Sequence, residues 1–218
     1  MSEVMDLLKL TGICPIIADA EPDAAVPAAA ALVEGGVPVV EILMRNERSR
    51  INLGSIASEL PGIQVGAGSV LNLDLAKEAV DLGAKFIVMP GFQRQVVEFC
   101  VDRNIPVLPG CVTPTEIMAA LDYGIDIVKF FPVYQMGGLD TIRQLNNGPF
   151  PNVRFVVTGG LDSRNFLPLM AWNNVLAAGG DWMFQDCDAL AGRNYRQITR
   201  NIRKSVNEVL DIRDGIRR

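Results

Sequence analysis

Eight short apolar runs recur along this chain, each followed by a stretch of helical spacing or a turn into one, and this alternation narrows the possible folds more than any other feature. The runs lie at about Ile13 to Ala18, Pro38 to Met44, Ile63 to Ser69, Phe86 to Pro90, Pro106 to Cys111, Ile127 to Pro132, Arg154 to Thr158 and Val175 to Gly179. Most are hydrophobic almost without interruption, as strands are when both faces are covered, and strands alternating with helices build a parallel sheet. Between them the spacing predicts helices over about 24–34, 47–60, 72–82, 93–103, 114–123, 138–146, 162–170 and 189–210, with one more from Met1 to Leu10. Gly35-Gly36, Gly83 and Gly124 stand where C-terminal caps belong. Asn72 and Thr113 stand where N-caps belong, the second with Pro114 and Glu116 in a capping-box pattern.

Eight such units in 218 residues, with 49% hydrophobic content to fill one large core, predict an α/β fold: a single small (β/α)8 TIM barrel domain over 1–218, with the extra N-terminal helix across the bottom of the barrel. A doubly wound open sheet is the competing architecture. The first βα turn, Ala18-Asp19-Ala20-Glu21-Pro22, lacks the Gly-x-Gly-x-x-Gly loop that such a sheet would favour. Barrels carry their sites at the C-terminal ends of the strands, so polar residues there should converge on one mouth.

Composition removes several function classes. With 20 basic against 25 acidic residues there is no positive field to hold a polyanion, so nucleic acid is not an expected partner. Glu3 and Asp6 interrupt the N-terminal apolar residues without a basic leader region, and no run approaches the ~18 apolar residues of a membrane span. The expectation is a cytoplasmic protein with no membrane partner. Cys14, Cys100, Cys111 and Cys187 are far apart and read as reduced core residues. Histidine is absent altogether, which excludes Ser/His/Asp and Cys/His nucleophile systems, histidine-ligated metals and an imidazole base. No metal and no cofactor is expected. Acid and base work falls to Glu, Asp, Lys, Tyr or water.

Against that background one cation stands out, Lys129, inside the apolar run Ile127-Val128-Lys129-Phe130-Phe131-Pro132. Burying an ammonium disfavours its charged form, which is how a lysine becomes an amine nucleophile towards a carbonyl. A strand-end lysine reaching for the rim or pairing with a carboxylate fits the same run. In Glu41-Ile42-Leu43-Met44-Arg45 the period-two alternation puts Glu41 and Arg45 on one face, an acid inside the barrel with an arginine above it. Glu41 reads either as a general acid/base or as the partner of an ion pair with Arg45 or Lys129. The planar fork of Arg45 suits a substrate carboxylate, and a rim charge is the alternative. Gly159-Gly160 and Gly179-Gly180 after the last two strands are either tight turns or, beside helix N-termini, an anion site.

The series Val-Glu-Ile-Leu-Met-Arg, Gly-Ala-Gly-Ser-Val, Met-Pro-Gly, Leu-Pro-Gly, Val-Lys-Phe-Phe-Pro, Thr-Gly-Gly-Leu and Gly-Gly-Asp-Trp, in that order, resembles the class I 2-keto-3-deoxy-6-phosphogluconate (KDPG) / 4-hydroxy-2-oxoglutarate (KHG) aldolases. The resemblance spans about Ile13 to Asn207, and Lys-Phe-Phe-Pro is its most specific part. It implies a homotrimeric TIM barrel that cleaves 2-keto-3-deoxy sugar acids to pyruvate and an aldehyde without a metal. Its Schiff-base lysine falls on Lys129, its acid/base glutamate on Glu41 and its pyruvate-carboxylate arginine on Arg45. Ser69 takes the place of a strand-three threonine and keeps the hydroxyl, and Pro90 lines the pyruvate pocket. Thr158, Gly159 and Gly160 match the loops that hold substrate hydroxyls and phosphate.

Three positions depart from the family pattern. Asp181 replaces the serine expected after the strand-eight glycines, Leu43 replaces a threonine, and Pro132-Val133-Tyr134 replaces Pro-Ala-Glu. The pyruvate half is thus intact and the distal half altered. An aldolase for an unphosphorylated 2-keto-3-deoxy acid follows from Asp181 as one alternative. A barrel that binds a keto acid without turning it over is the other.

Overall fold

The structure is a computed structural model, and it describes residues 2–185 and 188–216, so Cys187 and the first residue of the expected Met1 to Leu10 helix lie outside the described residues. Eight parallel strands follow one another: β1 (Ile13–Ile17), β2 (Val39–Leu43), β3 (Gln64–Gly68), β4 (Phe86–Val88), β5 (Val107–Leu108), β6 (Ile127–Phe130), β7 (Arg154–Thr158) and β8 (Val175–Gly180). They lie side by side in the order β5-β4-β3-β2-β1-β8-β7-β6. The two ends of that row meet as well. Lys129 donates its N–H to Pro109 O at 2.9 Å and accepts from the N–H of Cys111 at 2.9 Å, and Gly110 bridges Lys129 in parallel. The sheet is a barrel whose closing seam lies at Lys129.

Helices alternate with the strands, and all but the short α9 are ones the spacing predicts: α1 (Glu3–Thr11), α2 (Pro22–Glu34), α3 (Glu47–Glu59), α4 (Leu73–Asp81), α5 (Arg94–Asp102), α6 (Pro114–Leu121), α7 (Gly138–Asn147), α8 (Leu167–Met170), α9 (Trp182–Gln185) and α10 (Tyr195–Ile216). Asn72 accepts the N–H of Leu75, and Thr113 with Glu116 forms a reciprocal capping box. At the bottom of the barrel, α1 runs into β1 through Gly12, and Arg213 of α10 donates to the carbonyls of Lys9 at 2.8 Å and Leu176 at 2.7 Å. Among the described residues no helix is long and apolar enough to cross a membrane, and no three His, Cys, Asp or Glu side chains gather so as to hold a metal ion.

Three boundaries differ from the sequence-based expectation. The helix over 162–170 shrinks to α8, because the Asp162 carboxylate accepts from the Arg164 N–H at 2.8 Å and Asn165 Oδ1 accepts from the Asp162 N–H at 2.8 Å. Short polar side chains that bond their neighbours' backbone compete with helix. The helix over 189–210 runs instead from Tyr195 to Ile216, because Asn194 accepts the Gln197 N–H and starts it there. The strand over Pro106 to Cys111 is only two residues long, since Pro109 lacks the N–H that would continue the ladder. Cys14, Cys100 and Cys111 are free and buried, as expected of core thiols. Burial pushes Cys100 and Cys111 up to about 12, which keeps both as inert thiols.

Candidate active site

Strands β2 and β6 stand opposite each other in an eight-membered ring, so inward side chains on them meet across the lumen. Glu41 sits in the middle of β2 at 1% exposure, and Lys129 lies within β6 at 6%. Their charged ends approach to 3.5 Å, Nζ to Oε1. That distance is at the outer limit of a hydrogen bond, so the two groups attract without being locked together. Of the alternatives for Lys129, the reach to a solvated rim is not what the structure shows. The ammonium turns inward, with the centroid of the Phe131 ring 5.5 Å away.

Glu41 owes its place to a glycine. A Cβ on Gly68, the last residue of β3, would stand 2.0 Å from Glu41 Oε1 and 2.7 Å from its Cγ. The carboxylate therefore lies on the bare backbone of β3. Gly68→Ala should leave the barrel folded but displace the carboxylate. A misplacement of about 1 Å can lower turnover roughly 10²-fold, and steady-state kinetics on the purified variant would check it. Beneath the pair, the Cys14 thiol is pushed up by burial and next by the Glu41 charge, with Lys129 pulling the other way. It is a spectator in the floor.

Above the pair opens a cavity of about 650 Å³ at the C-terminal ends of the strands. Arg45, Ser69, Pro90, Lys129, Thr158 and Asp181 line it together with Gly159 and Gly160, and Glu41 is buried under it. All nine residues singled out from the sequence thus gather at one place, contributed by six different strand ends. Arg45 lies just beyond β2, where its N–H turns back to Leu43 O at 2.8 Å, and its side chain is exposed at the rim. Ser69 follows Gly68 with φ 57, a left-handed conformation unusual for serine. Thr158 pairs with Gly179 in the sheet, and the missing Cβ of that glycine makes room for the threonine methyl. Thr158 Oγ1 is buried and has no hydrogen-bond partner among the described residues.

Gly159 and Gly160 both have left-handed backbones, with φ 103 and φ 68. A Cβ at 159 would also stand 2.9 Å from Pro132 Cα. These glycines are demanded by the turn itself. The helix after them begins only at Leu167, so the helix-dipole part of the anion-site expectation has no basis on this side. Asp181 is half-buried, and burial raises its carboxyl above the usual range, opposed by its own backbone N–H and by Gln185. The Gln185 amide donates to Asp181 Oδ2.

Neither the shelf at Gly68 nor the strained Ser69 was anticipated. The Gly-Ala-Gly run in strand three was a visible signal for close backbone approach, since glycine weakens a strand unless something needs the space.

Residues 4–201 match the family profile described as KDPG and KHG aldolase. The chain belongs to that family. A KHG/KDPG aldolase of Escherichia coli (strain K12) is 38% identical over 200 residues, covering 92% of this chain and 93% of its own. Among solved structures, the KDPG aldolase of Legionella pneumophila superposes with TM-score 0.87 at 28% identity, covering 94% of this chain and 98% of the other. That protein was captured with pyruvate at low pH as a covalent carbinolamine intermediate. The KDPG aldolase of Zymomonas mobilis ZM4, with 3-phosphoglycerate, gives TM-score 0.83 at 29% identity over 93% of this chain and 94% of its own. This chain is thus a KDPG/KHG-type aldolase, a carbon–carbon lyase fold in which a Schiff-base route needs no metal. The span matched to the family contains all nine of the residues gathered at the mouth.

Proposed function

We propose that the chain is a class I aldolase that cleaves a 2-keto-3-deoxy acid to pyruvate and an aldehyde, with Lys129 as nucleophile and Glu41 as proton carrier. The observation that carries this reading is the Lys129–Glu41 approach of 3.5 Å across the barrel, under a cavity with Arg45 at its rim. The pyruvate carbinolamine of the Legionella pneumophila relative supports it.

The Lys129 amine adds to the C2 carbonyl and forms a carbinolamine, which loses water to give an iminium. Glu41, directly or through water, removes the proton from the C4 hydroxyl. The C3–C4 bond breaks, the aldehyde leaves, and the bonding electrons move into the iminium to give an enamine. Return of the proton to C3 and hydrolysis release pyruvate and restore the amine. Arg45 and Ser69 hold the substrate carboxylate, Pro90 packs on the pyruvate methylene, and Thr158 donates to a substrate hydroxyl. Borohydride reduction in the presence of pyruvate should add a pyruvyl mass at Lys129. Unmodified Lys129 by mass spectrometry would refute the mechanism. The same reading carries a homotrimer, against which a monomer in sedimentation at micromolar concentration would count.

Asp181 bears on the substrate's far end. At about 4 Å and an effective dielectric near 20, two unit charges repel by about 4 kcal/mol, and a phosphate carries nearly two charges. Asp181 lines the cavity together with Gly159 and Gly160, the glycines that match the family's phosphate loop. The preferred substrate is therefore unphosphorylated. Asp181→Ser should raise kcat/KM for the phosphorylated six-carbon acid relative to the unphosphorylated one by roughly tenfold or more and leave pyruvate adduct formation unchanged. An unaltered ratio in the lactate dehydrogenase-coupled assay would reject the repulsion.

A further inference from the structure

A second cavity, of about 580 Å³, opens beside the one over Lys129, between residues 18–24 after β1 and, after β8, Phe184, Gln185 and residues from Asp188 to Arg193. The two share Ile16, Ala18 and Asp181, so they meet along an edge formed by those residues. Small side chains, Ala18, Ala20 and Ala24, leave the space open.

Its walls are tied down independently of any ligand. Asn52, buried at 1% exposure, donates through Nδ2 to Ala20 O at 2.9 Å. Arg48 bridges Asp19 at 3.0 Å and Glu21, and Arg193 holds Asp23 at 2.6 Å. A loop fixed beforehand does not have to be ordered when a ligand arrives, which lowers the cost of binding.

The charge pattern selects the ligand. Four carboxylates, Asp19, Glu21, Asp181 and Asp188, face two guanidiniums, Arg48 and Arg193, and each guanidinium already has a carboxylate partner. A phosphate entering this space would meet a net negative wall. Hydroxyl groups would meet carboxylate acceptors and the Gln185 amide, which both donates and accepts.

Resting on the aldolase reading, we infer that the second cavity is the subsite for the far end of the aldehyde half, and that it takes the neutral, hydroxyl-bearing tail of an unphosphorylated 2-keto-3-deoxy acid longer than six carbons. Asp181 stands at the threshold. Such a tail passes over it and gains hydrogen bonds where a phosphate would be repelled.

The test measures pyruvate release from unphosphorylated 2-keto-3-deoxy acids of six and eight carbons by the wild-type enzyme and by Ala191→Trp and Gln185→Leu. Both positions line the second cavity, and both are exposed, so neither change disturbs the core. The wild type should favour the eight-carbon acid. Ala191→Trp should lower its kcat/KM by roughly tenfold or more while leaving the six-carbon acid unchanged, and Gln185→Leu, which also releases the Asp181 carboxylate, should lower kcat/KM for the eight-carbon acid more than for the six-carbon one. Equal effects on both lengths, or none, overturn the subsite provided the pyruvate adduct still forms at Lys129. Loss of the adduct in the wild type would instead sink the aldolase reading itself.

Discussion

Lys129→Ala should abolish turnover, with losses on the order of 10⁴–10⁶-fold, the scale found when a covalent nucleophile is removed from an enzyme that depends on it. Borohydride should trap nothing with pyruvate. The variant should also be less stable, for a reason visible in the geometry. Glu41 is 1% exposed, and the ammonium at 3.5 Å is its partner across the lumen. Removing one member of a buried ion pair leaves an uncompensated charge and typically costs about 3–5 kcal/mol, a large share of the total stability of a domain. Pairing the change with Glu41→Gln should recover much of that loss, because the carboxylate then goes with its partner. Denaturant midpoints of the single and double variants would check this. A single variant as stable as wild type would mean that Glu41 does not depend on Lys129. A variant that fails to fold in both forms would make Lys129 structural.

Glu41→Gln alone should separate binding from chemistry. The amide keeps the shape of the carboxylate and still fits on Gly68, but it cannot carry a proton. Pyruvate adduct formation should persist while cleavage slows by roughly 10²–10⁴-fold, the usual contribution of a positioned acid/base group. The measurement is single-turnover cleavage beside exchange of the pyruvate methyl protons into deuterium oxide, both of which pass through the same proton carrier. A loss of less than tenfold would move that role to another group or to water.

These two residues also mark how far the sequence could be read. Lys129 was conspicuous because a cation in a continuous apolar run has few places to go, and Glu41 because alternation gives an inward direction to every second residue of a strand. Strand count, order and the gathering of the named residues at the strand ends followed from the same periodicities. What the sequence did not carry was contact between distant elements. Nothing in the Gly-Ala-Gly run says which side chain will occupy the space above Gly68, since that depends on the register of β2 against β3, in which Glu41 pairs with Gly66. The second cavity was equally hidden. It arises where the loop after β1, held by Asn52 and Arg48, faces the loop after β8, and neither stretch has a distinctive pattern alone. The boundaries that shifted, at Asp162, Asn194 and Pro109, were settled by local side-chain hydrogen bonds or a missing donor, which periodicity does not register.

The seam at Lys129 joins chemistry to topology. Of the two residues proposed to carry the reaction, one lies in the run of strands from β1 to β5 and the other in the run from β6 to β8; these runs are joined by the β1–β8 pairing and meet again at their other edges through the backbone of Lys129 itself. Each half alone holds an acid without an amine or an amine without an acid. Lys129 therefore has two tasks at one position: its backbone closes the barrel, and its side chain meets Glu41 across the lumen.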